Sequence, residues 1–371
     1  MTRRSAFALR DLLVSMIVLL CLAALTLPAL SQVRMDSSRQ ACIGNYRFIA
    51  QVSGSYSNDY AGYMWALSWK RGMANRVDPW SFGYFATDTE AQAGQAVTIL
   101  RRLAHLNSTG APLPASWSPQ LLYSHAVLFD YVNVSIPASF LVCPEDWIRQ
   151  RYLDGDYRLM PQSSGDNSST NWRIPYSSSY TAGTYQWGPS RQTMVPKPGG
   201  GTTPTPMWYP NPSDVSTWTS TGDLSAPDAF GPRQESAVRF PSNKVFMSDD
   251  YARHNGKPRY YAYQTAGQDL LFYDGSVRFL RPDSTNPGWN PSTAGNRGNM
   301  KSRFSFTKRP DFWGVLDNNA TQANFTAGWY RLTRGGLYGW DVPRLSSMVG
   351  KLPNASTVEN EVDTSAATGA W

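Results

Sequence analysis

The sequence has little of what a catalytic centre usually requires. Only three histidines and three cysteines occur in 371 residues, and His105, His125 and His254 lie in unrelated segments. No HExxH, CxxC, P-loop, GxGxxG or nucleophile-elbow spacing is present. The adjacent carboxylates Glu145–Asp146 and Asp249–Asp250 do not form acid–base pairs in a strand, because neighbouring strand residues face opposite sides. We interpret both pairs as solvated loop ends. The sequence therefore predicts no catalytic residue, no cofactor and no enzyme activity.

Charge is sparse as well, and its distribution excludes one class of partner. Charged residues make up 16% of the chain, and the net charge of +7 is spread out rather than concentrated on a helix face. We therefore expect no nucleic-acid binding, and at most a mild attraction to anionic envelope surfaces. The 13% aromatic content with 29 glycines and 26 prolines favours a β-rich extracellular domain over a helical cytosolic enzyme.

One long apolar run stands near the start of the chain. From Leu12 to Leu30 no charged residue occurs, and Arg3, Arg4 and Arg10 precede the run. A helix of this length crosses a hydrocarbon core of roughly 30 Å. The basic residues predict a cytoplasmic N-terminus and an exported remainder. An uncleaved anchor, and a secretory signal cleaved before Gln32, are the alternatives.

The apolar run continues into an amphipathic pattern. Cys42, Tyr46, Ile49, Ser53 and Tyr56 recur at three- and four-residue spacing, which predicts that the helix extends over residues 32–60. Its buried face would pack on an exported domain formed by residues 61–371. Proline inside a helix removes a hydrogen bond and crowds the preceding turn, so a kink is expected where the run contains its proline.

Several further elements are predicted along the exported part from local patterns. They are a helix over Thr89–His105 capped by Thr87 or Thr89, short strands over Ala126–Val134 and Ala138–Val142, a loop-rich or disordered stretch near 161–235, a return of order over Ala237–Phe246, a hairpin over Gln268–Leu280 turning at Asp274–Gly275, and a short final element over Asp341–Leu352 before a frayed tail.

The N-terminal residues resemble the prepilin-type cleavage and methylation segment of type IV pilins and type II secretion pseudopilins. In that family a basic leader ends in Gly and is followed by Phe, an acidic residue four positions later and an apolar helix. Here Ala6 takes the place of the glycine, Phe7 is the first mature residue, Asp11 takes the acidic position and Pro28 matches the helix-kinking proline. Arg10 stands where the family is apolar.

Later segments resemble the large planctomycete-type pilin-like proteins. The matching segments are Ala41–Arg47, Tyr56–Tyr63, Cys143–Asp146 and Asp274–Leu280. The last of these is similar to the His-x9-Asp-Gly element of one subfamily, in which Gln264 occupies the histidine position and Asp274 and Gly275 complete the pattern.

The resemblance implies an α+β pilin-like fold, in which a long N-terminal helix packs on an antiparallel sheet with large loop insertions. Residues 1–6 would be a leader peptide, 7–31 the transmembrane and assembly helix, and 32–60 its amphipathic continuation. The implied function is a structural subunit of an envelope or secretion-associated filament. Its implied partners are copies of itself or other pilin-like subunits, the bacterial inner membrane and a prepilin peptidase. The main domain would be periplasmic or on the cell surface.

Asp11 has a specific role in this interpretation. A carboxylate in the bilayer is costly without a partner, and in a pilin-like filament its partner is the free α-amino group of the neighbouring subunit's first residue, here Phe7. The alternative is that Arg10 and Asp11 neutralise each other at the cytoplasmic interface. A different class of function, a membrane-anchored monomer that binds glycans through its aromatic residues, remains the second hypothesis.

Residue types alone indicate two smaller candidate sites, a disulfide and a calcium site. Cys42 and Cys143 lie beyond the apolar run, and in an oxidising compartment they either form a disulfide or remain two free thiols. Asp154-Gly155-Asp156 resembles a fragment of a calcium loop, although the other ligands are missing. No other metal or cofactor is expected.

Overall fold

The computed structural model describes most, but not all, of the chain. The described residues are 9–77, 80–114, 117–132, 134–158, 168–188, 194–196, 200–204, 207–210, 218–221, 230–254, 259–261, 266–285, 303–305, 324–326, 329–331 and 336–342. Within them, only the backbone is described for 9–11, 23, 25–32, 74–77, 80–82, 121, 168–171, 194–196, 203–204, 207–210, 218–221, 259–260, 283, 303–305 and 324–326. Within the described residues, no helix is both long and apolar enough to cross a membrane.

Four α-helices and fourteen short strands are described. The helices are α1 (Leu9–Asp59), α2 (Asp88–Ala104), α3 (Gln120–Tyr123) and α4 (Trp147–Leu153). The strands are β1 (Ala74–Val77), β2 (Trp80–Tyr84), β3 (Tyr180–Ala182), β4 (Met194–Pro196), β5 (Thr202–Pro204), β6 (Met207–Pro210), β7 (Trp218–Thr221), β8 (Val245–Asp249), β9 (Tyr251–Ala252), β10 (Arg259–Tyr260), β11 (Gln268–Phe272), β12 (Val277–Leu280), β13 (Arg303–Ser305) and β14 (Asn324–Thr326).

A four-stranded antiparallel sheet with the order β12-β11-β8-β3 is the centre of the fold. Strands β8 and β11 are buried along their whole length. The other strands form two-stranded ribbons. The combination of helices and an antiparallel sheet confirms the α+β class.

The second half of α1 packs on this sheet and on the short helices beside it. Cys42, Tyr46, Ile49 and Tyr56 are buried in the main core, where they join Met247 of β8. These residues belong to the three- and four-residue pattern, so one stripe of the helix supplies its packing face. An ion pair with strand β11 adds to this docking: Arg39 donates from Nε and Nη2 to the two carboxylate oxygens of Asp269, at 2.7 and 2.8 Å.

The predicted second helix is confirmed, with Thr87 as its N-cap. The Thr87 side chain accepts a hydrogen bond from the backbone N–H of Glu90, and the Glu90 carboxylate accepts one from the Thr87 backbone. This reciprocal pair is a capping box, which satisfies two backbone donors that the first turn leaves open.

The two short strands predicted over Ala126–Val134 and Ala138–Val142 are wrong. The chain forms 3-10 helices over Ser124–Tyr131 and Ser139–Leu141 instead. Every residue from Ser124 to Phe129 is buried, so the segment has no polar face to alternate with an apolar one. A short apolar run of this kind is equally compatible with a buried helical turn.

The stretch near 161–235 contains more structure than its composition predicts. Residues 168–188 include a 3-10 helix over Ser168–Tyr176 and the edge strand β3 of the central sheet. The small polar residues Ser178 and Ser179 are buried there and hydrogen-bonded, with Ser178 Oγ donating to the carbonyl of Leu141 at 3.1 Å. The remainder of the stretch is described only in the short strands β4–β7 and a few residues beside them.

The hairpin predicted over Gln268–Leu280 is confirmed as β11 and β12, with Leu271 paired to Val277. Gly275 has a φ of +78° in the turn, a conformation that side chains disfavour. The segment Ala237–Phe246, where a return of order is expected, contains a 3-10 helix over Pro241–Asn243 and the start of β8 at Val245. The final element over Asp341–Leu352 and the tail after it lie largely outside the described residues.

Two helix glycines give opposite expectations for the same substitution. A Cβ at Gly94 of α2 would overlap the ring of Phe85, whereas a Cβ at Gly44 of α1 would meet nothing within 4 Å. Alanine is favoured over glycine in a helix interior by about 1 kcal/mol. We expect Gly44→Ala to stabilise the protein, and Gly94→Ala to destabilise it by about 1 kcal/mol net, because overpacking outweighs the helix propensity.

Chemical denaturation of the full chain in mild detergent measures both changes in the free energy of unfolding. Each variant is the other's control, since both remove a glycine from a helix. An equal stabilisation of the two variants would contradict the close packing of Phe85 on α2.

Candidate functional site

The two halves of α1 differ sharply in what surrounds them. Beyond Arg39 the helix is anchored in the core, but its first turns carry apolar side chains that are more than half exposed. These residues are Leu12, Leu13, Val14, Met16, Ile17, Val18, Leu19, Leu20 and Leu22. A continuous exposed apolar surface of this kind marks a site for a membrane or another protein.

The residues predicted for processing and assembly lie mostly outside the described part of the chain. Ala6, Phe7 and Gln264 are not described. Asp11 and Pro28 belong to α1, but their side chains lie outside the description. The roles predicted for these five residues stay predictions.

Asp274 and Gly275 form the tight turn between β11 and β12. Asp274 is exposed, and its Oδ1 accepts hydrogen bonds from the backbone N–H and hydroxyl of Ser276 at 2.9 and 2.6 Å. These contacts are local and complete the turn, so in this structure the pair has a structural role.

In the fragment Asp154-Gly155-Asp156, the Asp156 carboxylate is already paired with an arginine. Arg158 donates to both oxygens of Asp156 at 2.8 and 2.9 Å. That interaction lowers the pKa of the Asp156 carboxyl to about 2, through the side-chain hydrogen bond from Arg158 first. A calcium ion there would have to compete with the guanidinium.

Tertiary structure brings together a cluster of soft donor atoms that are far apart in the sequence. Cys42 lies on α1, Cys143 follows the 3-10 helix over Ser139–Leu141, and His254 follows β9. One ligand atom from each lies within 4.8 Å of the other two, and the Cys143 Sγ is 3.3 Å from the His254 Nε2. Among the described residues it is the one group of three or more metal-ligating side chains that converge in this way. We call these three residues the thiol–imidazole cluster.

Neighbouring hydrogen bonds fix the two cysteines. The backbone N–H of Cys143 donates to the hydroxyl of Ser179 at 3.0 Å. The Cys42 Sγ lies 3.2 Å from the Tyr180 hydroxyl, and the same hydroxyl accepts a hydrogen bond from Asn45 at 3.1 Å. Because that oxygen already accepts from Asn45, the Tyr180 proton is free to point at the sulfur.

Both cysteines of the cluster are buried free thiols in this structure. Burial raises the pKa of the Cys143 thiol well above its usual range, and nearby Cys42 raises it further. Of the two alternatives left open by the sequence, the structure has the two free thiols, with the sulfurs within 4.8 Å of each other. A bond would require the two sulfurs to approach to about 2.05 Å.

A buried charge network adjoins the cluster. Asp146 Oδ2 accepts hydrogen bonds from Arg149 Nη1 at 2.6 Å, Arg253 Nη2 at 3.0 Å and Ser179 Oγ at 2.8 Å. Asp146 also caps α4, its side chain accepting from the Arg149 backbone. Burial alone would raise the pKa of the Asp146 carboxyl, but Arg253 and Arg149 outweigh it and hold that pKa below its usual value.

Asp249 occupies the other side of Arg253. Its Oδ2 lies 3.3 Å from the Arg253 Nε, and its Oδ1 accepts from the backbone N–H of Tyr251 at 3.0 Å. Burial raises the pKa of the Asp249 carboxyl to about 6, although Arg253 opposes the shift. Its neighbour Asp250 is half-buried and pairs with Arg331.

The interpretation of these acidic pairs as solvated loop ends is wrong for Asp146 and Asp249, which are 1% and 4% exposed. The Asp146–Arg149 spacing of three residues and the Asp249–Arg253 spacing of four are visible in the sequence, but neither indicates burial by itself. The pairing of Asp146 with Arg253 joins residues 107 positions apart and is visible only in the folded chain.

A narrow cleft, with room for about one water molecule, opens beside the cluster. Its lining residues are Cys42, Tyr46, Asp249, Tyr251, Arg253, His254, Gln268 and Asp269. Among the described residues that line it, four buried polar atoms have no hydrogen-bond partner: the Tyr46 hydroxyl, the Arg253 Nε, the Gln268 Oε1 and the His254 Nδ1. Buried polar groups are normally paired, so the cleft is suited to a bound polar species or water.

Sequence reasoning missed His254 as a site residue, because it expected metal ligands at short, regular spacing. The ligands here come from three elements that are adjacent only after folding. A search for cysteine and histidine residues at the ends of the predicted strands would have found Cys143 but not Cys42, which lies in the predicted helix, or His254.

Comparisons of the chain with known protein families, with curated proteins and with solved structures found no match.

Proposed function

We propose that this protein is a pilin-like or pseudopilin-like structural subunit of a filament in the cell envelope or secretion apparatus. The observation that carries the proposal is the division of α1. The helix has 51 residues and a length of about 76 Å, with one part docked on the sheet and an exposed apolar part at its start. A helix of this design holds a folded domain at one end and inserts into an apolar environment at the other.

The mechanism follows from where the apolar surface can be buried. Before assembly, the first turns of α1 would lie in the inner membrane, with Arg3 and Arg4 on the cytoplasmic side. During assembly they would move into a bundle of the same helices from neighbouring subunits. The folded domain, which begins near Arg39, would then be displayed outward.

Asp11 supplies the register of assembly in this proposal. Once the leader is removed before Phe7, the new α-amino group can pair with the carboxylate of a neighbouring subunit. The pair neutralises two charges that would each be costly in an apolar bundle. Glycan binding by the exported domain remains the second hypothesis.

Mass spectrometry of the chain isolated from membranes tests the proposal directly. We expect the mature protein to begin at Phe7 and to carry an N-methyl group. Restoring the family's glycine with Ala6→Gly should increase the cleaved fraction. A chain that begins at Met1 or at Gln32 would contradict the processing that assembly requires.

Neutralising the acidic position tests assembly separately from processing. We expect Asp11→Asn to abolish incorporation into sheared surface filaments while the chain is still cleaved and present in the membrane. Asp36→Asn is the matched control, since it neutralises an exposed carboxylate of the same helix beyond the apolar run. Equal incorporation of both variants would rule out a role for Asp11 in register.

A further inference from the structure

The thiol–imidazole cluster has the donor set and the size of a zinc site. In a tetrahedral zinc site the Zn–S distance is about 2.3 Å and the Zn–N distance about 2.0–2.1 Å. Two sulfur ligands then lie about 3.8 Å apart, and a sulfur and a nitrogen about 3.5 Å apart. The Cys143 Sγ and His254 Nε2 are 3.3 Å apart, and all three ligand atoms lie within 4.8 Å of one another. Small side-chain adjustments are enough to place a zinc ion between them.

The charge balance of the cluster favours a divalent ion. Zinc binding releases one proton from each thiol, which leaves two thiolates and a neutral imidazole around the metal. The sum of Zn²⁺ and two thiolates is zero, so the site can be buried without an uncompensated charge. A monovalent ion such as Cu⁺ would leave one negative charge there.

The surroundings of Cys42 contain an outer shell for such a site. The Tyr180 hydroxyl is positioned to donate to the Cys42 sulfur, and Asn45 holds that hydroxyl in place. Hydrogen bonds of this kind orient metal ligands and stabilise the thiolate. Asn45 is itself fixed by a second hydrogen bond, to the carbonyl of Val142 at 3.1 Å.

The cleft supplies the place for a fourth ligand. Cys42 and His254 lie on its wall, together with the Asp249 carboxylate and the unpaired Tyr46 hydroxyl and Gln268 Oε1. Zinc sites with three protein ligands keep a fourth position for water or an exogenous molecule.

We infer that Cys42, Cys143 and His254 bind a zinc ion through three protein ligands, with a fourth position that opens into the cleft. The site joins α1, the loop before α4 and the end of β9, so the metal cross-links the helix to the sheet region. This site is independent of filament assembly, and each conclusion can fail without the other.

Metal content of the full chain tests the site. The protein is purified in mild detergent with a phosphine reductant, stripped with a chelator, reloaded with Zn²⁺ and desalted, and zinc is measured by mass spectrometry. We expect about one zinc ion per chain, and its loss in Cys42→Ser and Cys143→Ser. Cys21→Ser changes an exposed cysteine outside the cluster and should retain the metal.

Two further variants compare the loss of zinc affinity at a proposed ligand with the loss at a residue of the outer shell. We expect Tyr180→Phe to weaken zinc about 10-fold in competition with a chromogenic chelator, as for an outer-shell partner. His254→Asn should weaken it more than Tyr180→Phe does. His105→Asn is the control, because His105 is exposed and lies at the end of α2.

Cobalt substitution gives a readout that does not depend on any variant folding. In the wild-type chain, Co²⁺ should produce thiolate-to-metal charge-transfer absorption in the near ultraviolet, together with visible bands typical of tetrahedral coordination. A reduced wild-type chain that binds neither zinc nor cobalt would overturn the site. A Cys42–Cys143 disulfide that the reductant cannot open in the folded chain would overturn it as well, in favour of a covalent cross-link.

Discussion

Replacing Asp146 with alanine should lower the free energy of unfolding by about 3–5 kcal/mol. The Asp146 carboxylate is buried and is shared by Arg149 and Arg253, whose side chains are only 4% and 3% exposed. Removing it leaves two buried guanidiniums with less compensation, which costs far more than the loss of an exposed ion pair. The N-cap of α4 is lost at the same time.

Denaturant titration of the full chain in mild detergent measures this loss. Glu145→Ala is the matched control, since it removes the adjacent carboxylate, which is only half-buried. We expect Glu145→Ala to change the free energy of unfolding by less than about 0.5 kcal/mol. Asp146→Asn should fall between the two, because the amide keeps one acceptor oxygen but not the charge. A loss below about 1 kcal/mol for Asp146→Ala would contradict the burial of this network.

Acidification should destabilise the protein through His125. Burial lowers the pKa of the His125 imidazole to about 3, and the positive charge of Arg149 lowers it further, while a hydrogen bond with the Tyr176 backbone opposes the shift. In the unfolded chain the group titrates near 6.5. Between these values the unfolded state binds a proton that the folded state excludes, so stability falls as the pH decreases from 6.5. The slope is about 1.4 kcal/mol per pH unit, and the loss reaches about 3 kcal/mol at pH 4.

The difference between wild type and His125→Gln isolates this effect. Glutamine keeps an N–H donor but does not titrate, so the stability of the variant relative to wild type should rise as the pH falls from 6.5 to 4. The comparison matters because Asp249 acts in the opposite direction. With its pKa raised to about 6 by burial, it adds stability as the pH falls from 6 towards 4 in both proteins. His105→Asn serves as the control for replacing an exposed imidazole. Parallel pH profiles for wild type and His125→Gln would contradict the burial of an uncharged imidazole.

Elements that depend on local chemistry were predictable from the sequence. The helix cap, expected at Thr87 or Thr89 and found at Thr87, and the turn at Asp274–Gly275 each require a few residues that are close in the chain. In both places the structure agrees with the prediction. Patterns of this kind reflect interactions between residues that are neighbours in the chain, and in natural sequences such local preferences agree with the global fold.

Elements that depend on burial from all sides were not predictable. The segment after Ser124 is apolar without a period, and its packing against α1 and α2 decides in favour of a 3-10 helix. Ser179 looks like a loop residue by composition, yet it is buried between Cys143 and Asp146 as a hydrogen-bonding partner. A polar residue can enter the core when its partners are already there, and those partners come from distant segments.

By itself, the sequence determined the apolar start of the chain, the capped second helix and the closing hairpin, because each of these is encoded by neighbouring residues. Only the tertiary structure decided that Asp146 and Asp249 are buried, and that Cys42, Cys143 and His254 meet beside a cleft. The physical reason is that burial and ligand geometry depend on side chains far apart in the sequence. The spacing of residues along the chain does not specify how close their side chains lie in space.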